Sequence, residues 1–339
     1  MEWGGVRWCA HPRLHVGESF SSWLHRSAQA NGISDHSFCR QVFGERASWN
    51  RDLDRFGGEQ LLHSASLATG ENLERLRSGV LGIYVGTLFK EFRTAGELHW
   101  VLPMGIRGRK RTAFGQQYCP ACLGSREPWL RLMWRLAWVT VCSEHQVLLH
   151  DCCTNCSAPI SLRRLSSHPV RGFVCSVCGY RLAGTGVPAR QAEVRFQRRL
   201  ERALRANTIE WFGQDTASLD IFTGLRALMR GLYTNSHGSG LIELMPSAMF
   251  RRRPRSTAMG FEHWRIEKRR YAMGVLRYVL ADWPDPLLSQ ALEHRIYRSR
   301  FDDGHGSVQP LWLELGLRRL ERPIPNLVDR AYNLARRKV

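Results

Sequence analysis

Eight cysteines and one well-placed histidine between Tyr118 and Tyr180 constrain this chain more than any other feature. Cys119-Pro-Ala-Cys122 is followed after nineteen residues by Cys142-Ser-Glu-His145, and Cys153-Thr-Asn-Cys156 is followed after eighteen by Cys175-Ser-Val-Cys178. Two ligands separated by two residues sit on one tight turn facing one ion, and two such turns complete a tetrahedron. The intervening lengths suit zinc ribbons and related modules. The spacing therefore predicts two closed, structural Zn2+ sites per chain, one of Cys119, Cys122, Cys142 and His145 and one of Cys153, Cys156, Cys175 and Cys178. A disulfide framework is the competing reading. Cys152 is a spare, because only Cys153 has the Cys-x-x-Cys spacing, and Cys9 and Cys39 read as packing residues.

A chain of 339 residues is long enough for two or three compact units. No apolar run has the length of a signal peptide or a membrane span, so a soluble cytoplasmic protein with no membrane partner is expected. A reducing cytoplasm agrees with thiolates kept for metal. The formal net charge of +19 favours a polyanionic partner, nucleic acid ahead of an acidic membrane surface. Lys90, Lys110, Lys268 and Lys338 are the only lysines, so the excess is carried by arginine. A GC-rich coding sequence is one competing explanation of that bias; the other is function, since the planar guanidinium suits phosphate and guanine edges.

The expected fold is mainly α with small zinc-ribbon β elements. It divides into an N-terminal helical domain with a helix-turn-helix over residues 1–115, tandem zinc-finger modules over 116–186, and a basic helical C-terminal domain over 187–339. Phe20, Trp23, Leu24 and Ala28 recur at helical spacing and Asn31-Gly32 ends that helix. A second helix starts with Asp35 as N-cap and turns Phe38, Val42 and Phe43 inward. Glu59 to Leu67 and Leu73 to Arg77 have helix-turn-helix proportions, with Arg75 and Arg77 placed to reach a major groove. Glu71 and Glu74 would lie near phosphates, which counts against that use.

Residues 81–118 read as a glycine-broken connection carrying the basic cluster Arg107, Arg109, Lys110 and Arg111, either a solvated linker or a phosphate contact. Trp134 and Trp138 are spaced for one helical face and read as core of the zinc modules. Beyond residue 187, helices are expected over 189–206, 219–231, 262–280, 286–300, 308–320 and 326–337. Arg251, Arg252, Arg253 and Arg255, continued by Arg265, Arg269, Arg270 and Arg277, form the best candidate for contact with a nucleic-acid backbone.

There is no phosphate-binding Gly-x-x-x-x-Gly-Lys-Ser/Thr loop, no Gly-x-Gly-x-x-Gly unit, no His-Glu-x-x-His helix and no acidic cluster of two-metal type, so a non-catalytic protein is expected. Pro12, Glu18-Ser19-x-Ser21-Ser22-Trp23-Leu24, Asn31-Gly32, Tyr118-Cys-Pro-x-Cys-Leu and Trp134-Arg135-Leu136-x-Trp138-Val139-Thr140-Val141-Cys142-x-x-His145, followed by Cys153-x-x-Cys156, resemble the TniQ family of transposon target-selection proteins. The resemblance covers roughly residues 10–180. Glu71 departs from it, since a small apolar residue commonly follows the glycine of such a turn.

The resemblance implies a non-catalytic adaptor between a target-recognition element and a TnsC-like AAA+ transposition ATPase. In one branch a TniQ protein, sometimes a homodimer, docks on a Cascade-type CRISPR complex whose guide RNA supplies specificity. In another, the longer TnsD-like proteins themselves bind an attachment sequence in DNA. The length of this chain favours the first branch.

Overall fold

The computed structural model describes residues 8–44, 51–56, 58–107, 110–111, 113–162, 173–233, 260–294, 296–302 and 309–321, with the backbone alone at 106–107 and 110–111. The chain forms two compact units. The first comprises Met1–Ile209, Ala217–Leu219 and Thr257–Gly274, and the second Glu210–Thr216, Asp220–Ser256 and Val275–Val339. Described elements are mainly helical, with three two-stranded sheets.

The first unit starts with helices α1 (Phe20–Ala30) and α2 (Asp35–Phe43), the single turn α3 (Leu53–Phe56), and the pair α4 (Glu59–Thr69) and α5 (Leu73–Arg77). Ser19 caps α1 by accepting from the Ser22 amide at 3.2 Å. Asn31 closes it and holds the lead-in, its Nδ2 donating to the Ala10 carbonyl at 2.6 Å while its Oδ1 accepts from the Ala10 amide at 3.0 Å. The cap of α2 is Ser34, not Asp35. Asp35 turns inward instead, 2.8 Å from Nδ1 of buried His25, so its side chain is unavailable to the α2 amides. Gly70, at φ +74°, ends α4 in the left-handed conformation that costs glycine least. Asn72 then caps α5. Leu62, Ala65 and Leu76 are buried, as the hairpin pattern predicts.

Residues 81–105 lack regular periodicity but are no linker. Leu81, Leu88, Phe89, Leu98, Trp100, Val101, Leu102 and Met104 are all buried. Their backbone pairs with the tryptophan-rich segment, the Leu102 amide donating to the Arg135 carbonyl at 2.8 Å and the Ala137 amide to the Trp100 carbonyl at 2.7 Å. Farther on, β1 (Ile106–Arg107) and β2 (Lys110–Arg111) form an antiparallel pair. Trp134 and Trp138 are buried as expected, but not on one helix: only Leu132–Arg135 form a short 3-10 turn. Within this stretch the backbone makes only short-range turns, Trp134 N–H to the Arg131 carbonyl and Leu136 N–H to the Met133 carbonyl, while the Leu132 and Ala137 amides donate to the Gly17 and Trp100 carbonyls, which interrupts any longer helix.

The short helix α6 (Pro120–Leu123), the hairpin β3 (Val141–Cys142) and β4 (Val147–Leu148), and helix α7 (Gln191–Arg205) carry the cysteine region. Helix α7 buries Val194, Leu200, Ala203 and Leu204. Its Gln197 side chain accepts from the Thr140 and Val141 amides at 2.9 and 3.0 Å and donates to the Val141 carbonyl at 2.5 Å. That one amide group thereby fastens α7 to β3.

Strands β5 (Thr208–Trp211) and β6 (Gln214–Ala217) form a hairpin that the sequence patterns did not disclose. Its two-residue turn has Phe212 at φ +52° and Gly213 at φ +77°, the pair of left-handed residues that a type I′ turn requires. Helices α8 (Ser218–Tyr233), α9 (Ile266–Ala281), α10 (Asp285–Glu293) and α11 (Leu311–Leu317) follow. The core of the second unit is aromatic. Trp312 lies 6.1 Å from Trp211, 5.8 Å from Phe212 and 5.5 Å from Trp283 between ring centroids, and its Nε1 donates to the Asp220 carbonyl at 3.2 Å. The expected helices over 286–300 and 308–320 are shorter than predicted: the first ends at Glu293, with a separate 3-10 turn at Arg298–Phe301, and the second passes at Arg318 into a 3-10 turn. The helix expected over 326–337 lies outside the described residues.

Candidate metal centres

Each ligand pair is built by a tight turn. The amides of Gln146, Ser157 and Gly179, each four residues after the first ligand of its pair, donate to the Cys142, Cys153 and Cys175 carbonyls at 2.8, 2.8 and 2.9 Å. These three residues have φ of +55°, +58° and +69°. Gln146 and Ser157 are unusual there, because a side chain disfavours the left-handed region. Such backbone persists where the surroundings fix it. The fourth turn, after Cys119, uses Pro120 as the first residue of α6 and closes with the Leu123 amide on the Cys119 carbonyl at 3.1 Å. Amides also face the sulfurs: Cys122 N–H donates to Cys119 Sγ at 3.4 Å and His145 N–H to Cys142 Sγ at 3.5 Å.

Cys119, Cys122, Cys142 and His145 converge in one group, and Cys153, Cys156, Cys175 and Cys178 in another, with all ligand atoms of a group within 4.8 Å of one another. Tetrahedral zinc with Zn–S near 2.3 Å requires sulfurs about 3.8 Å apart. Sulfur separations are 3.8 Å for Cys122–Cys142, 3.7 Å for Cys153–Cys178 and 3.6 Å for Cys156–Cys175. His145 Nδ1 lies 3.9, 3.2 and 3.6 Å from the three sulfurs of its group, against an ideal edge of about 3.6 Å. All of these cysteines are free thiols, so the spacing is that of a metal tetrahedron and not of a disulfide. Hydrogen bonds from Cys119 and Cys122 hold Cys142 far below the usual thiol range, and the Asn155 amide, 3.5 Å away, lowers Cys178 to about 6. The donor sets and edges fit two zinc ions.

Cys152 lies in neither group; its sulfur accepts from Arg265 Nη2 at 3.1 Å. The two groups are tied by backbone. Tyr118 and His150 exchange amide–carbonyl bonds at 2.9 and 3.0 Å, and Gly184 N–H donates to the Pro120 carbonyl at 3.0 Å.

Around the metal groups the sequence motifs interlock. Arg135, fully buried, uses all five N–H donors: to Gly115 O at 3.0 Å, to Asp52 at 2.8 and 2.6 Å, to Asp54 at 3.1 Å and to Leu102 O at 3.0 Å. Asp54 in turn accepts from the Ser21 amide and hydroxyl at 2.8 and 2.9 Å. Ser22 Oγ accepts from the Leu130 amide and donates to Glu18, both at 2.9 Å. Burial pushes the Glu18 carboxyl up to about 7, against the nearby Arg26 guanidinium. Trp23 Nε1 donates to the Pro12 carbonyl at 2.7 Å. The Glu18–Leu24 and Trp134–Trp138 motifs are thus two halves of one buried junction.

The nucleic-acid candidates fare differently from one another. Arg77 is paired with Glu59 at 2.6 Å and with Glu74, and Arg75 lies 3.8 Å from Glu71. Glu71 itself faces inward, accepting from the Leu14 amide at 2.8 Å. Arg265 grips buried Asp151 at 3.0 Å and lies 3.8 Å over the Phe114 ring. Arg269 is 0% exposed and donates to Trp264 O, Ala137 O and Gln117 Oε1, so it is a buried tie and not part of an exposed basic stripe. Burial lowers its pKa to about 10. Arg270 pairs with Glu193 at 2.9 Å. The side chains of Arg107, Lys110 and Arg111, and Arg109, Arg251, Arg252, Arg253 and Arg255 entirely, lie outside the described residues.

A basic face absent from the sequence reading lies on α7. Arg195, Arg198, Arg202 and Arg205, spaced three, four and three residues apart, are exposed on the helix and line a cleft of 630 Å³ with Arg131, Trp134, Ser143 and Glu144. That 3-4-3 spacing was legible, but it was eclipsed by the denser cluster at 251–255.

A mainly helical protein with two groups whose donor sets fit a metal ion, one of three cysteines and a histidine and one of four cysteines, is the class defined by this fold and site. Within it, the TniQ family model matches residues 9–149, and the chain carries a TniQ domain over that span. The domain implies a transposition-associated role in target selection. Comparison with curated proteins gave no match. Among the described residues no helix is long and apolar enough to cross a membrane.

Proposed function

We propose that this protein is a non-catalytic target-selection adaptor in DNA transposition, linking a target-recognition complex of the RNA-guided, Cascade type to a TnsC-like AAA+ transposition ATPase. The observation that carries the reading is the TniQ domain over residues 9–149. Its motif residues are consumed in the buried Ser21–Asp54–Arg135 junction and in the convergent cysteine and histidine groups, which supports a scaffold over a reaction centre. Eight ligands divided as two sets of four support two structural zinc ions, since catalytic zinc keeps a coordination position open. The competing TnsD-like reading, recognition of an attachment site by the α4–α5 hairpin, is disfavoured by Arg77, whose charge is already balanced by Glu59 and Glu74.

The test is reconstitution with a TnsC-like ATPase and a Cascade-type RNA-guided complex. Zinc-loaded chain is expected to co-elute with each separately and to bring both into one assembly on target DNA. Binding to neither, or a preference for the target site over unrelated duplex at physiological salt that needs no guide RNA, would reject the adaptor reading.

A further inference from the structure

The cleft beside the first metal group has a charge balance that the fold itself does not use. Its lining includes five arginines, Arg131, Arg195, Arg198, Arg202 and Arg205, against two glutamates, Glu144 and Glu201. Arg131 is paired with Glu144, and Arg205 lies 3.5 Å from Glu201. Arg198 donates to the Ser143 carbonyl at 2.6 Å, which satisfies a donor but leaves its charge unbalanced. Among the described residues, Arg195 and Arg202 have no ion-pair partner. Helix α7 is not free to relax this crowding by turning, because Gln197, on the neighbouring face, is hydrogen-bonded to both the amide and the carbonyl of Val141. The arginines are therefore held toward the cleft by the same helix register that docks α7.

From this juxtaposition we infer that the α7 arginine face is a binding surface for the phosphate backbone of duplex DNA, with Arg195 and Arg202 as its unneutralised anchors. From Arg195 to Arg205 the helix rises about 15 Å, the rise of four to five base pairs at about 3.4 Å each. Guanidinium groups at that interval meet several phosphates of one strand. A single strand is the poorer occupant. The cleft offers no stacking platform of the kind that holds unpaired bases, since its one aromatic residue, Trp134, is 1% exposed. The surface carries no base-reading geometry, so it supplies affinity and register without sequence preference. The inference does not depend on the adaptor reading, because its test contains neither ATPase nor guide complex.

The experiment is fluorescence anisotropy of a labelled 30-base-pair duplex with the full zinc-loaded chain across a salt series. Each lost phosphate contact lowers the slope of log K against log salt by about 1. Arg195→Ala with Arg202→Ala is therefore expected to reduce the slope by about 2 and to weaken binding equally on unrelated sequences. Alanine is a strong helix former, so the helix itself should be retained, and circular dichroism checks this. Arg195→Lys with Arg202→Lys should keep most of the slope. The control is Arg318→Ala with Arg319→Ala, an exposed pair in the second unit that removes the same charge. A loss at 195 and 202 no larger than in this control would overturn the assignment, because it would reduce the effect to net charge. Displacement of the duplex by single-stranded DNA of equal phosphate number, at lower concentration, would overturn the choice of duplex.

Discussion

Arg135 shows how much one residue of a motif can carry. A guanidinium removed from water is tolerable only when each donor finds an acceptor, and here five do, two of the partners being Asp52 and Asp54. Burial pushes the Asp54 carboxyl up, and the adjacent Arg135 charge opposes that push. Arg135→Leu should leave two buried carboxyls without their cation and destabilise the first unit by about 3–5 kcal/mol. Urea unfolding followed by tryptophan fluorescence measures this. The triple change Arg135→Leu, Asp52→Asn, Asp54→Asn is expected to recover a substantial part of the loss, and equal stability of single and triple variants would show that the charges are not coupled. The sequence displayed Trp134-Arg135 as a motif but not its role. The partners lie 83 and 81 residues earlier, and no local period records a contact of that range.

At the scale of elements, what local chemistry specifies was legible and what packing specifies was not. Cys-x-x-Cys and Cys-x-x-His turns are local, so which eight side chains converge in two groups could be read from spacing, with Cys152 in neither. The α4–α5 hairpin was equally local, fixed by Gly70 and Asn72. Trp134 and Trp138 were read correctly as core and wrongly as helical, because burial follows from side-chain type whereas the backbone path follows from its pairing with residues 100–102. Residues 81–105 were misread for the same reason: glycines erase periodicity without exposing the apolar residues between them. The metal turns support a direct measurement. Elemental analysis should find about two zinc ions per chain in the native protein and about one in Cys122→Ala or Cys178→Ala, while Cys152→Ala keeps both. Loss of zinc from Cys152→Ala with retention in Cys153→Ala would shift the ligand assignment by one residue.

For the molecule as a whole, the two units are stabilised by different means. In the first, α1 is anchored to Leu130 and, through Asp54, to Arg135, and these belong to the segment that the Cys119–His145 group closes. Metal binding in small zinc modules contributes folding free energy on the order of 10 kcal/mol, so its removal should release the helices that lean on the modules as well as the modules themselves. The second unit has no such group among its described residues and depends on the packing of Trp211, Phe212, Trp283 and Trp312. Chelation under reducing conditions should therefore divide the chain in hydrogen exchange. Amides of Trp23–Ala28, Val141–Cys142 and Val194–Leu204 are expected to lose protection, while those of Phe222–Leu232 and Leu287–Ala291 retain it. Protection unchanged throughout would mean that the ligand groups do not hold a structural metal. Simultaneous loss in both units would mean that they unfold as one cooperative body, and the stability of the aromatic core would then have to be assigned to the metal groups as well.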